Sequence, residues 1–240
     1  MSKYHKRILK DIKDVMVDSK EQLKENGIWC YFDEDNFTEG MIIIEGQPDT
    51  PYEGYIFIFK VTIPIDGEKI YPVYPPKVES IMVDTGFRYH PNIYPCGKVC
   101  LSILGTWSGP IWTCVMNLRI LCISLASLFD ENPIAYEPSY NNVKITDCCS
   151  VNYNLFIRMK LYEKWMPLLY TELMKDKYKF YLERFKTKLR SDLNIREKTL
   201  NIMCINDTKN IISTYGYNTI INYNDFKQSI SNFENIIINM

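Results

Sequence analysis

His90-Pro-Asn-Ile-Tyr-Pro-Cys-Gly-Lys-Val-Cys-Leu-Ser-Ile-Leu104 is the stretch on which the reading of this chain turns. It lies within residues 84–116, which show neither helical nor strand periodicity and are rich in Gly, Pro and aromatic residues, so a long ordered loop is expected there. A long loop inside a folded domain is usually functional. Cys100 falls in that loop and not on an apolar helical face, where a partner can reach the thiol and the thiol can act as a nucleophile. Asn92 lies eight residues before it. An amide NH2 there is suited to donate to a developing oxyanion in acyl transfer. Pro91 restricts the backbone of His90 and Pro95 stiffens the loop beyond Asn92. A stiff loop is what would hold an amide donor over a thiol.

Upstream, residues 3–24 read as a helix, with Ile8, Ile12, Val15, Met16 and Leu23 on one face. Asn26-Gly27 stops it. Strand-like runs follow at Ile28–Phe32, Met41–Glu45 and Tyr55–Ile63, separated by Asp/Asn/Gly/Pro segments, and a fourth at Val78–Val83. Such short links favour an antiparallel meander. Downstream, a helix is expected over Asn117–Asp130, with Asn117 as N-cap and Asn132-Pro133 beyond its end. Helical patterns return at Ser150–Trp165 and Leu168–Leu189, with Pro167 between them, and at Phe226–Ile237. Residues 194–224 carry no assignable pattern.

A net charge of -1 over 240 residues gives no global field toward nucleic acid, although Lys3, Lys6, Arg7, Lys10 and Lys13 cluster at the start. The most apolar run, Leu118–Phe129, is too short to span a membrane and contains Arg119. The N-terminus has charge but no apolar block after it, so no secretory signal is read. A cytoplasmic or nuclear protein is expected, with its eight cysteines mostly reduced. They form no CxxC pair. Cys96, Cys100 and His90 offer three potential zinc ligands, but a fourth is not spaced to join them, so no metal is expected. A cysteine protease would need a histidine base, and only His5, on a charged helix, and His90, in a Pro-flanked turn, exist.

His90-Pro-Asn92, the eight-residue step to Cys100 and the Cys-Leu-Ser-Ile-Leu segment that follows together resemble the ubiquitin-conjugating enzymes. Tyr71-Pro-Val-Tyr-Pro-Pro76 and Pro51-Tyr-Glu-Gly54 match two further motifs of that family, in order, and the helix–meander–loop–helix sequence matches over about residues 3–165. Within the family, Gly105-Thr-Trp-Ser-Gly-Pro-Ile-Trp112, Glu131-Asn-Pro133, Glu137-Pro138 and Asn152-Tyr-Asn154 resemble the Z-type enzymes and the conjugating domain of the inhibitor-of-apoptosis protein BRUCE. The tail resembles the Z-type extension more weakly.

The resemblance implies an α+β ubiquitin-conjugating fold over residues 1–165, with a helical C-terminal extension over 166–240. It implies that Cys100 accepts ubiquitin, or a ubiquitin-like protein, from an activating enzyme as a thioester. Asn92 would stabilise the oxyanion or hold the loop, and His90 would be structural. The partners implied are ubiquitin, the activating enzyme, contacted by the N-terminal helix, and a ligase. No cofactor is implied. Three positions depart from the family pattern. Ala135 stands where many members place an acid that orients or deprotonates the incoming lysine, with Tyr136 and Glu137 its nearest substitutes. Thr113-Cys114-Val115 replace the Ser-Pro-Ala loop used by ligases, and Ile63 replaces a Phe used for the same contact. The reading from a different class is a non-catalytic ubiquitin-binding variant; such variants generally lack the cysteine that this chain keeps. Trp107 and Trp112 are read as packing residues that fix the loop between them.

Overall fold

The structure, a computed structural model, describes residues 3–18, 21–33, 36–83, 85–173, 175, 198–202, 210–212, 216, 218–220 and 222–238. By their contacts the residues fall into two units, each described by itself: Met1–Gln47, Ile56–Val83 and Asn92–Phe129 form one, and Pro48–Tyr55, Asp84–Pro91 and Asp130–Met240 the other.

The first unit begins with α1, Lys3–Asp18, whose Ile8, Ile12 and Val15 are buried as the helical spacing predicts. The pattern expected to run to residue 24 is divided, because Glu21 leaves helical geometry (φ -124°, ψ -110°) and a one-turn α2 follows over Gln22–Glu25. Gly27, at φ +68°, then turns the chain into the sheet.

Four strands, β1 Ile28–Phe32, β2 Glu39–Glu45, β3 Ile56–Thr62 and β4 Lys77–Ser80, pair antiparallel in chain order. Their register sets Ile28 opposite Ile44, Ile43 opposite Ile58 and Phe59 opposite Ser80. The meander predicted from the short links is thus present. The fourth strand is shorter than the expected Val78–Val83, and its outer edge is met by the loop of residues 92–100 through a bridge between Glu79 and Lys98. Helix α3, Leu118–Ala126, starts at Asn117, whose Oδ1 accepts from the Ile120 N–H at 3.0 Å, and buries Leu118, Leu121, Cys122 and Leu125. Phe129, just beyond it, stacks on Phe57 with ring centroids 4.2 Å apart. Such a pair contributes about 0.5–1.5 kcal/mol beyond the area it buries. Cys122 lies in this core with its Sγ 3.2 Å from that of Cys30.

In the second unit α4, Cys148–Lys160, runs without interruption into a π-helical turn, Leu161–Trp165, and then α5, Met166–Leu173. A break at Pro167 was the expectation, and it does not occur. A proline inside a helix lacks one N–H and crowds the carbonyl four residues back; the wider π turn just before it opens the ladder where that conflict would fall. The part of the expected helix over 176–189 lies outside the described residues. Tyr153, Phe156, Ile157 and Trp165 bury one side of this long helix. A short hairpin, β5 Asn210–Ile212 and β6 Asn218–Ile220, occupies part of the unassigned stretch, and α6, Tyr223–Ile238, covers the expected C-terminal helix. Phe226 of α6 meets Tyr162 edge-on at 5.5 Å. Among the described residues no helix is long and apolar enough to cross a membrane.

Candidate active site

Residues 92–100 form a small hairpin docked on the end of β4. Ile93 and Val99 bridge across it, the Tyr94 N–H donates to the Lys98 carbonyl at 2.9 Å, and the Gly97 N–H donates to the Tyr94 carbonyl at 2.9 Å. The Ser80 N–H then donates to the Gly97 carbonyl at 2.8 Å. Gly97 has φ +85°, and a Cβ there would come within 2.8 Å of the Ser80 carbonyl oxygen. Both the backbone conformation and the close approach require glycine.

The hairpin brings Asn92 against Cys100. The Cys100 N–H donates to the Asn92 carbonyl at 2.7 Å, and Asn92 Nδ2 donates to the Cys100 carbonyl at 2.8 Å. Asn92 is 4% exposed and Cys100 is not exposed at all. An accessible thiol was the expectation, and it is corrected here. The cause is local: Val99, Leu101 and Ile103 are apolar and buried around the cysteine, so the segment that carries it packs inward.

Beyond Cys100 the chain makes a 3₁₀ turn, Ser102–Leu104, closed by Gly105 in the left-handed region (φ 69°). That turn returns Thr106 to the cysteine segment. Thr106 Oγ1 accepts from the Leu101 N–H at 2.9 Å and donates to the Val99 carbonyl at 2.8 Å. Sequence reading treated Thr106 only as a member of a subgroup motif. Its place after a Gly that can adopt positive φ was the one available signal.

The aromatic positions have separate roles. Trp112 is buried, and its Nε1–H donates to the Pro72 carbonyl at 2.8 Å; Trp107, expected to pack likewise, is 40% exposed. Tyr71 lies beside Trp112, and its hydroxyl donates to Asp11 Oδ2 on α1. Arg7 donates through Nε to that same oxygen at 2.7 Å, and through its Nη atoms to the carbonyls of Cys114 and Met116. Asp11 is 4% exposed, so part of the polar side of this helix is a buried ionic junction. It ties α1 to the loop that stands for Ser-Pro-Ala, where Val115 is exposed; Ile63, at the position of the family's Phe, is buried. A groove of about 1100 Å³ opens beside the hairpin, lined by Val73, Tyr74, Val78, Cys96, Ile111 and Trp112 among others.

In the second unit His90 is fully buried, with Tyr136 edge-on at 4.9 Å and Tyr52 at 6.3 Å. The Tyr52 hydroxyl donates to the Tyr89 carbonyl at 2.7 Å, which gives the Pro51–Gly54 motif its physical role. The Tyr136 hydroxyl donates to Asp130 Oδ2 at 3.0 Å, and burial pushes its phenol well above the usual range, which keeps the hydroxyl protonated. Burial likewise raises Asp130, while the Asn132 N–H and the Tyr136 hydroxyl offset part of that and Glu131 adds to it. Asp130 was not singled out from the sequence, where it reads only as the end of a helix.

The family described as Ubiquitin-conjugating enzyme matches residues 7–159. Ubiquitin-conjugating enzyme E2 Z of Xenopus tropicalis is 40% identical over 152 residues, 63% of this chain and 46% of that protein. The Homo sapiens protein of the same name is 39% identical over 152 residues, 63% of this chain and 41% of that protein. The chain therefore spans less than half the length of these curated relatives. The matched residues carry the four-stranded meander, the hairpin that joins Asn92 to Cys100 and the helices that flank them, and the chain belongs to the ubiquitin-conjugating enzyme family.

Proposed function

We propose that this chain accepts ubiquitin, or a ubiquitin-like protein, from an activating enzyme as a thioester on Cys100 and passes it to a substrate lysine or to a ligase. The observation that carries the reading is the pairing of Asn92 with Cys100 inside the family-matched segment. In the first step the Cys100 thiol loses its proton and attacks the carbonyl carbon of the incoming thioester. A C–S bond forms to Cys100, the C–S bond to the activating enzyme's cysteine breaks, and that thiol leaves with a proton. In the second step a lysine amine attacks the same carbon, an amide forms and the Cys100 thiol is regenerated. ATP is consumed by the activating enzyme, and neither step here draws on a cofactor or metal.

Because Cys100 is buried at rest, attack follows a movement of the side chains that cover its sulfur, while its own backbone stays held. Asn92 holds the loop through its hydrogen bond to the Cys100 carbonyl, and the second hydrogen of its amide donates to the oxyanion; His90 serves as a packed structural residue. Residues 1–165 carry the transfer chemistry and 166–240 are an extension to them, in a cytoplasmic or nuclear protein. The exposed Val115 on the Arg7-anchored loop is the contact offered to a ligase.

The test is to mix the chain with an activating enzyme, ubiquitin and ATP, and to look for an adduct that thiols remove. Absence of any adduct across several activating enzymes and ubiquitin-like proteins would overturn the reading and leave the non-catalytic binding variant in its place.

A further inference from the structure

We infer that Thr106 is a positioning residue for the reaction at Cys100, an inference that rests on the thioester reading above. Cys100 is held from two sides by two different segments. From the upstream side, Asn92 takes both backbone polar groups of Cys100: its carbonyl accepts from the Cys100 N–H at 2.7 Å, and its Nδ2 donates to the Cys100 carbonyl at 2.8 Å. From the downstream side, one hydroxyl, Thr106 Oγ1, takes the two groups immediately outside that residue. It donates to the Val99 carbonyl at 2.8 Å and accepts from the Leu101 N–H at 2.9 Å.

A hydroxyl is the smallest group that can do both at once. Valine has nearly the shape of threonine but can do neither, and serine can do both. The backbone of Thr106 adds to the same grip, since its N–H donates to the Leu101 carbonyl at 3.3 Å, beside the Leu104 N–H at 3.1 Å. What brings Thr106 to this place is the Gly105 turn, and nothing lies within 4 Å of a Cβ built there, so the glycine is required by its φ of +69° and not by crowding. With both flanks of Cys100 fixed, the direction in which its side chain leaves the backbone is fixed too. Transfer between two thioesters needs the sulfur aligned on a carbonyl carbon held by a second protein. A small alkylating agent needs only access.

The two demands separate the readouts. In Thr106→Val the segment around Cys100 loosens, so alkylation of Cys100 by iodoacetamide, followed by peptide mass spectrometry, becomes faster. Charging by the activating enzyme under single-turnover conditions becomes slower, by up to about 10²-fold, the cost of misplacing a reacting group by about 1 Å. Thr106→Ser restores both rates to near those of the unmodified chain. Cys122, buried in the core away from this segment, keeps its slow alkylation in all three proteins and reports on general unfolding.

Faster charging in Thr106→Val would mean that the hydroxyl restrains a lid and does not aim the thiol. Unchanged rates, a serine variant as impaired as the valine variant, or parallel exposure of Cys122 would also overturn the inference. Should Thr106→Val not fold, hydrogen exchange at the Leu101 amide of the unmodified chain decides: slow exchange is expected, and exchange as fast as at an open amide would remove the clamp. If the unmodified chain is never charged, the thioester reading fails, while the alkylation and exchange arms still report on whether Thr106 holds Cys100.

Discussion

Asn92 grips Cys100 at both of its backbone polar groups, through a carbonyl that accepts from the Cys100 N–H at 2.7 Å and an Nδ2 that donates to the Cys100 carbonyl at 2.8 Å. The side-chain half of that grip is the part a mutation can remove. Asn92→Ala leaves the Cys100 carbonyl without this buried donor, which costs about 1–3 kcal/mol of stability. Asn92→Asp costs more, because a carboxylate oxygen then faces a carbonyl oxygen. Denaturant unfolding measures both. Asn92→Ala should still be charged, and its discharge to free lysine should slow by about 10²–10³ if the amide also donates in the transition state. Loss of stability with unchanged discharge would reduce Asn92 to a brace.

Gly97 and Gly67 separate two costs that positive φ usually mixes. Gly97 has φ +85° with the Ser80 carbonyl 2.8 Å from any added Cβ, whereas Gly67 has φ +73° with nothing within 4 Å. Gly67→Ala therefore meets only the backbone preference, about 1–2 kcal/mol. Gly97→Ala meets that and must also push the hairpin off β4. The prediction is a distinctly larger drop in unfolding free energy for Gly97→Ala, accompanied by slower charging. Equal effects at the two sites would contradict the docking of the hairpin on Ser80.

Asp130 supplies a pH test. Burial raises its folded-state pKa above the ordinary value of 3.8, so the folded chain binds that proton more tightly than the unfolded chain does. The group therefore favours folding when protonated. Its contribution is present below 3.8, falls as pH rises through the raised folded value and stays lost above it. Asp130→Asn keeps one oxygen to accept from the Asn132 N–H and turns the other position into an NH2 from which the Tyr136 hydroxyl can accept, so it should flatten that part of the stability–pH curve. Denaturant midpoints from about pH 4 to about pH 7 give the comparison, and parallel curves would show that Asp130 does not titrate in this window.

The meander and its order were readable because short polar links join runs of Ile, Phe, Tyr and Trp, and β1 matches its predicted span, Ile28–Phe32. The nearness of Asn92 and Cys100 was readable from spacing, since an eight-residue step bracketed by Pro91, Pro95 and Gly97 closes into a hairpin. The features that were not readable depend on which way a segment packs or turns, which residue type and spacing do not settle. Cys100 is buried because Val99, Leu101 and Ile103 turn inward together, and no local pattern shows which side of a loop faces the core. Asp11 looked like one more polar residue on α1; its partner Tyr71 is 60 residues away. Pro167 looked like a helix break because the π turn that accommodates it has no sequence signature. Thr106 was unremarkable until the turn at Gly105 set its hydroxyl between Val99 and Leu101.

The most direct measurement is where the adduct forms. The chain, its Cys100→Ser variant and its Cys96→Ser variant are each incubated with activating enzyme, ubiquitin and ATP, and the products are resolved with and without thiol. Cys96, exposed beside the groove, is the nearest competing cysteine in sequence. The prediction is that the unmodified chain and Cys96→Ser each form an adduct that thiol removes, while Cys100→Ser forms an oxyester that thiol leaves intact. A thiol-removable adduct on Cys100→Ser, with none on Cys96→Ser, would contradict the assignment of Cys100.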